Sequence, residues 1–284
     1  MEFAASVQAV GLRVTKLDAA GVPVVGPTNS YVTRAFTKFG WTPEYENGQE
    51  VKTIAADGSI CIYYKAPDAF KDCQFQFEIC NPQPELTALL AGGTLLGTGT
   101  SATITNKALT TNVATITTAA PHGFIAGDSV TITGVGAPFD GTWVLLTGAA
   151  SAFTFALISA NVVSAIDTGV ATRVTGSGWA APLQGTIPVP NGVAIEVWSR
   201  AILGGRPAAV NPFWRWVLPY ALTKMNGERV LENGAMANVF DGSSLGNVGF
   251  GTGPAKDWLF PSTSAIVYAR DSAAATAEGY FVVT

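Results

Sequence analysis

His122 is the only histidine of the chain and stands in "APHGFIAGD". A metal centre, or a Ser–His or Cys–His dyad, would have to be built around it, since imidazole is the commonest metal ligand and the usual base for such nucleophiles. It precedes a glycine in an expected turn, far in sequence from any cysteine, which predicts a structural or solvent-exposed side chain. "GSSLG" (242–246) fits GxSxG and puts Ser244 in the nucleophile's place. That motif works only on a sharp strand-to-helix turn that exposes the hydroxyl. Here "NVGFGTGP" follows, which cannot make a helix, so a glycine-rich loop is expected. The same tract has neither the lysine nor the helix that would let it cradle a phosphate.

The acids are scattered. A glycosidase recruits two carboxylates in three dimensions, and no spacing in this chain singles out a pair. Solvated strand faces are the plainer reading. Trp214 and Trp216, two apart on one strand face, could form a platform for a sugar ring; packing in a core or between subunits is the expected role. Cys61, Cys73 and Cys80 form no CxxC, and an odd count without metal spacing predicts reduced, buried thiols in a protein made in the cytosol. A Cys61–Cys73 bridge across a hairpin is the alternative. No catalytic residue, cofactor or metal site is expected.

Composition points to assembly. The 284 residues are 48% hydrophobic and only 13% charged, roughly half the usual charged share. A membrane span or a large area buried against neighbours would each explain so few charges. No stretch approaches the ~18 consecutive apolar residues that a span needs. The opening "MEFAASVQAVGLRVTKLDAAG" lacks the basic region and apolar core of a secretory signal. A net charge of −4 argues against gripping nucleic acid, which takes clustered Lys and Arg.

The elements predicted around these residues are almost all strands. Residues 1–31, with "DAAGVPVVGPTNS", read as an extended arm. Residues 31–45 read as a strand kinked near Gly40. Residues 51–80 read as one long hairpin whose tip is "KAPDAFKD" (65–72). Its returning limb "KDCQFQFEICN" alternates: Cys73, Phe75, Phe77 and Ile79 point to one face, Gln74, Gln76 and Glu78 to the other. "PELTALLAGG" (84–93) is the helix candidate, with Pro84 in its first turn, Glu85 at its positive end, and Gly92–Gly93 to stop it. Leu86, Leu89 and Leu90 form its apolar stripe.

From Thr98 to Thr175 only Lys107, Asp128, Asp140, Asp167 and Arg173 are charged. Short β-prone runs alternate there with turns, the pattern of a small sandwich or barrel. "GGTLLGTGTSA" and "VTGSGWAAP" on its flanks read as linkers. The expected fold is therefore an all-β host with one short helix, spanning 1–97 and 176–284, interrupted by a small all-β sandwich or barrel at 98–175. The host resumes with strands in 185–203, where Val193, Ile195 and Val197 alternate with Ala194, Glu196 and Trp198, and in 213–224. A glycine-rich tract (240–254) and the strands "SAIVYARD" and "GYFVVT" follow.

The order of a flexible arm, a strand, a long hairpin with one polar face, "NPQPELTALLAGG", then strands with "NGAMANVF" and a glycine-rich loop resembles the major tail proteins (tail tube proteins) of siphophages infecting actinobacteria. The likeness covers residues 11–97 and 176–260. The insert resembles the small Ig-like modules of phage tail proteins through "PHGFIAGDSVTITGVGAPFDGTWVL" (121–145), although such modules often sit at a terminus and this one lies within the chain. The resemblance implies a virion protein, assembled in the bacterial cytoplasm as stacked homohexameric rings. It also implies a tape measure protein and a tail terminator as partners, and double-stranded DNA passing through the bore. Gln74, Gln76 and Glu78 would then face that lumen, with ordinary outer solvent as the alternative. Asp68, Phe70, Lys71, Trp214 and Trp216 would contact neighbouring subunits or rings. A carbohydrate-binding adhesin acting through the insert, with Trp143 or His122, and a capsid or head–tail protein are the competing readings.

Overall fold

The computed structural model describes residues 4–226, 237–281 and 283. In chain order its elements are β1 (Ala5–Lys16), β2 (Ser30–Thr33), β3 (Phe36–Glu46), β4 (Glu50–Ile54), β5 (Ile60–Lys65), β6 (Ala69–Ile79), α1 (Pro84–Ala91) and β7 (Thr94–Thr110). Next come β8 (Val113–Thr118), β9 (Ser129–Thr133), β10 (Gly141–Gly148), β11 (Ala152–Ala156) and β12 (Val162–Ala180). The chain ends with β13 (Val193–Leu203), β14 (Arg206–Pro207), β15 (Phe213–Asn226), β16 (Asn238–Leu245), β17 (Val267–Asp271) and β18 (Gly279–Tyr280). The fold is all-β with one short α-helix among the described residues. One large sheet runs β18-β2-β1-β13-β15-β16-β6-β3, with β14 on β13 and β17 on β15; β7 to β12 close a six-stranded barrel, and β4-β5 stand apart as a hairpin.

The sheet carries α1 on one face. Phe75, Phe77 and Ile79 pack with Leu86, Leu89 and Leu90 in one buried cluster that also holds Leu12, Val14, Ile195, Leu218 and Phe240. Alternation along β6 is what the sequence predicts: Cys73, Phe75, Phe77 and Ile79 are buried, while Gln74, Gln76 and Glu78 are half-buried or exposed. Pro84 opens the helix and Gly92 ends it at φ 64°; a Cβ on Gly92 would come within 2.5 Å of the Pro188 carbonyl oxygen. The opposite face of the same sheet is covered too, by a smaller cluster of Leu17, Ala194, Val217, Phe250, Trp258 and Ala269. β13 is consequently buried on both faces, including Glu196 and Trp198, where simple alternation predicts one wet side.

Several expectations change. Within the expected arm of 1–31, residues 4–31 are not free: β1 is an interior strand between β2 and β13, with Leu12 and Val14 wholly buried. Its turn formers all follow the strand, at residues 18–29. No kink occurs at Gly40, which pairs with Gln76 inside β3. The break falls at residues 34–35 and sends β2 and β3 to opposite ends of the sheet. Residues 65–72 are not a hairpin tip. β4 pairs with β5 around Ala55–Ser59, while β6 returns along β3, so Phe70 and Lys71 already lie in a strand. The start of the glycine-rich tract, 240–245, belongs to β16, where a Cβ on Gly242 would lie 1.9 Å from the Leu222 carbonyl oxygen. This glycine serves close strand approach rather than looping. "NGAMANVF" lies partly outside the described residues.

The barrel's flanks are not slack linkers either. β7 and β12 pair antiparallel from Thr94–Ala180 to Leu109–Val162. Its core is its own, with Ile116, Phe124, Ile132, Phe139, Phe153 and Phe155 buried. Trp179, near the foot of this ribbon, packs against the helix-side cluster and donates from Nε1 to the Gly92 carbonyl at 2.6 Å.

Candidate assembly surface

Directly paired residues of a sheet share a face, so the row Gln74, Gln76, Glu78 can be extended sideways. Toward one edge it meets Thr42, Gly40 and Lys38; toward the other it meets Ser243, Asp241 and Val239, then Leu222, Lys224 and Asn226. Gln74 donates from Nε2 to Asp72 Oδ1 at 3.1 Å, and Asn226 from Nδ2 to Asp241 Oδ2 at 2.6 Å. Lys38 lies opposite Glu78, and Lys224 Nζ is 4.0 Å from Asp241 Oδ2. The face is polar and its charges are mixed, each lysine standing by a carboxylate. β6 itself brings no lysine to this face, and its neighbours bring Lys38 and Lys224.

The β4–β5 hairpin is exposed along every residue of both strands. Asp57 closes its turn by accepting from the Ser59 amide and hydroxyl at 2.9 and 2.6 Å. At its base Asp68 accepts from the Gly48 amide at 2.9 Å, and Phe70 meets the Tyr45 ring edge-on at 5.7 Å. Cross-strand pairing puts Val51 with Tyr64 and Thr53 with Ile62 on one face, and Glu50 with Lys65 and Lys52 with Tyr63 on the other. One side of this ribbon is apolar. Ile60, Ile62 and Tyr64 are each more than half exposed, with nothing in the described chain covering them.

A second apolar surface runs through Trp41, Trp216, Tyr268 and Trp214, whose successive ring centroids are 6.2, 4.6 and 5.9 Å apart. Tyr268 is 54% exposed and Trp41 38%. Trp214 donates from Nε1 to the Ala4 carbonyl at 3.2 Å and Trp216 to Ser199 Oγ at 3.3 Å. Both of these indole N–H groups are engaged by the protein, so Trp214 and Trp216 offer a partner ring faces and edges rather than donors.

Among the described residues, His122, Trp143, Ser244 and the cysteines do not meet one another in a working constellation. His122 is buried in the barrel; its Nδ1 accepts from the Phe124 amide at 2.9 Å, and its ring packs on Phe124 and Phe153. Burial, helped by the charge of Arg173, holds its pKa below 6.5. Trp143 donates to the Phe139 carbonyl at 2.8 Å and stacks on Phe155. Ser244 has no exposed surface and donates to the Ala265 carbonyl at 2.6 Å. The cysteines are free; Cys73 and Cys80 are buried or half-buried as expected, but Cys61 is exposed on the hairpin. Among the described residues no group of three His, Cys, Asp or Glu side chains could hold a metal.

Two features went unread in the sequence. Glu196 is buried between Arg13 and Arg215 on the face opposite α1, and Arg215 also bonds Asp257 and Asp271 at 3.0 and 3.2 Å. Arg34 and Arg200 line a cleft of about 450 Å³ with Gln8 and Thr276. Both features join residues far apart in sequence, so no local pattern signals them.

The fold and surfaces thus define an all-β protein with uncovered apolar ribbon and aromatic faces. No protein-family model matches the chain, and no curated protein matches it. Among solved structures it is similar to a phage phi92 endosialidase at 12% identity, over 76% of this chain and 37% of that one, with a TM-score of 0.24. The chain therefore spans little more than a third of that protein's length.

Proposed function

We propose that this chain is a structural protein that polymerises with copies of itself, and that the polymer is the tail tube of a non-contractile phage tail. The observation that carries the reading is the β4–β5 hairpin. A two-stranded ribbon is marginal alone in water, and this one leaves Ile60, Ile62 and Tyr64 uncovered. A heterologous contact that takes up such a projection leads to a ring when the rotation closes, and stacked rings lead to a tube. The resemblance supplies the rest: hexameric rings, a tape measure protein and a terminator as partners, a place in the virion, and no catalytic step.

On this reading the face bearing Gln74, Gln76 and Glu78 lines the bore. Lys38 and Lys224 beside carboxylates give it little net charge with which to hold phosphates, and the amides offer no charge at all. DNA then passes without a lasting grip.

Negative-stain microscopy of the purified chain tests the proposal. Rings or long hollow tubes are the expected result. Dispersed monomers at high concentration that bind glycans through the barrel would sink it in favour of the adhesin.

A further inference from the structure

Three features compete for an unassigned role. The aromatic run is an apolar face with no charge pattern to select its partner. The Arg13–Glu196–Arg215 group is internally compensated and sealed. The cleft lined by Arg34 and Arg200 is neither.

Both side chains line the cleft, and among the described residues neither makes an ion pair or a side-chain hydrogen bond; the Glu278 carboxylate, which accepts from the Arg34 amide at 3.1 Å, is the acid closest in the hydrogen-bond pattern. Two arginines against one carboxylate leave the cleft an excess of positive charge, which favours an oxyanion that their forked N–H groups bind in pairs. Thr276 and Gln8 add neutral hydrogen-bonding groups, and Pro207, Pro212 and Phe213 wall the cleft. The β1 ladder shifts register between Val7 and Ala9 beside it, with Gln8 in the left-handed region at φ 52°. Bulges of this kind re-aim side chains near binding sites.

The matching anions lie on the same chain. Residues 44–68, the exposed extension, carry Glu44, Glu46, Glu50, Asp57 and Asp68 against Lys52 and Lys65, an excess of three negative charges. Glu44 and Glu46 are exposed and take part in no ion pair among the described residues. They are two apart on one strand, about 7 Å from one another, on either side of a register shift at Glu44/Tyr45 in the β3–β6 ladder.

We infer that the Arg34–Arg200 cleft of one copy receives Glu44 and Glu46 from the extension of a second copy. The inference rests on the self-assembly reading and names the polar half of its contact: the apolar ribbon supplies area, and the carboxylates fix register and partner. Because donor and acceptor are different patches, the contact is heterologous and propagates from copy to copy.

Charge reversal in the full-length chain tests it, with sedimentation and microscopy as readouts and circular dichroism to verify the fold. R34E/R200E alone, and E44K/E46K alone, should each raise the concentration needed for assembly about tenfold or more, since like charges then oppose. Mixed in equal amounts they should co-assemble near the wild-type concentration, as each reversed cleft finds a reversed extension. Inorganic phosphate should weaken wild-type assembly more than chloride of the same ionic strength. If the wild-type chain assembles and both variants assemble equally well, or the mixture regains nothing, the docking is wrong while the tube reading stands. If phosphate binds the cleft without altering assembly, the cleft is a small-anion site and the docking is likewise overturned. A wild-type chain that stays monomeric removes both.

Discussion

Arg215 donates from Nε to Oε1 of Glu196 at 3.0 Å, and their side chains are only 2% and 1% exposed. Arg13 takes the other carboxylate oxygen from the opposite strand. The guanidiniums also lie over aromatic rings: Arg13 is 4.3 Å from the Phe281 centroid, and Arg215 is 5.1 Å from that of Trp258. Asp257 and Asp271 then compensate the second cation at the rim. Burying three charges is costly, and the arrangement holds because each has a partner of opposite sign.

Removing the carboxylate charge should therefore be severe. Glu196→Gln keeps the volume but leaves two buried arginines sharing one neutral amide, so a loss of roughly 3–5 kcal/mol is expected in denaturant unfolding. Acid should act on the same group. Burial is the largest influence and by itself raises the Glu196 pKa, but the charges and hydrogen bonds of Arg13 and Arg215 together outweigh it and hold the pKa below 4.5. A carboxylate with a depressed folded pKa contributes stability that is fully present above 4.5 and is lost as pH falls through the folded value. Stability that is flat from neutral pH to about 5, then drops more steeply in the wild type than in Glu196→Gln, is the expected profile.

The hairpin offers a separable test of assembly. Ile62 is 57% exposed and faces the same side as Val51 and Tyr64, so Ile62→Asp removes nothing from the monomer's core. The thermal midpoint of dispersed chains should stay within a degree or two. Loss of a buried anchor at an interface costs more than ~1.4 kcal/mol, or about tenfold in affinity per contact. Unchanged assembly at matched concentration would mean the ribbon points into solvent in the polymer.

How legible all this was depends on how local each signal is. Strand β6 and helix α1 declared themselves because a period of two, a period near four and a Pro/Gly pair of ends are written within a dozen residues. β1 is masked by the turn formers of residues 18–29, which lend the whole segment the look of an arm although all of them follow the strand; nor does Arg13 read as interior, since its partner Glu196 lies 183 residues away. Glu196 misled in the same way, reading as a wet position on a strand with no wet side. Gly242 looked like loop material because glycine marks flexibility and close approach with one letter. The polar "KAPDAFKD" draws the hairpin tip to 65–72, although "ADGS" is the turn that β4 and β5 use. The polar face was half legible: Gln74, Gln76 and Glu78 are on it, but Lys38 and Lys224 come from strands that only register can place beside them.

Those lysines sharpen the test of the bore. Gln76 is exposed at the centre of the polar face, opposite Gly40 and beside Asp241. Gln76→Lys adds a second cation beside Asp241, which already stands by Lys224, so each subunit gains one positive charge in excess there; it touches no buried contact, and assembly should be normal. If this face lines the bore, a sixfold ring of such lysines should slow DNA passage, and the slowing should fade between about 50 and 200 mM salt as counterions compete. Gln76→Glu should have no such salt-dependent effect. Passage indifferent to Gln76→Lys at every salt concentration would put the row on the outside.

The barrel should prove separable from the sheet. Its buried cluster, from Ile104 to Ala171, shares no residue with the cluster beneath α1. The two meet through the β7–β12 ribbon, whose foot matters because Trp179 caps the Gly92 carbonyl and packs on the helix-side core. A cut must therefore leave that foot in place. Gly97 and Gly176 are paired across the ribbon, so a two-residue Asn-Gly turn joining them closes it as an ordinary hairpin while residues 98–175 are removed. The shortened chain should unfold in one cooperative transition and assemble at a concentration close to that of the full chain, giving thinner or smoother particles by negative stain. Loss of the helix-side core would show that the barrel props up the sheet. A folded but monomeric product would show instead that the barrel forms part of the contact between copies.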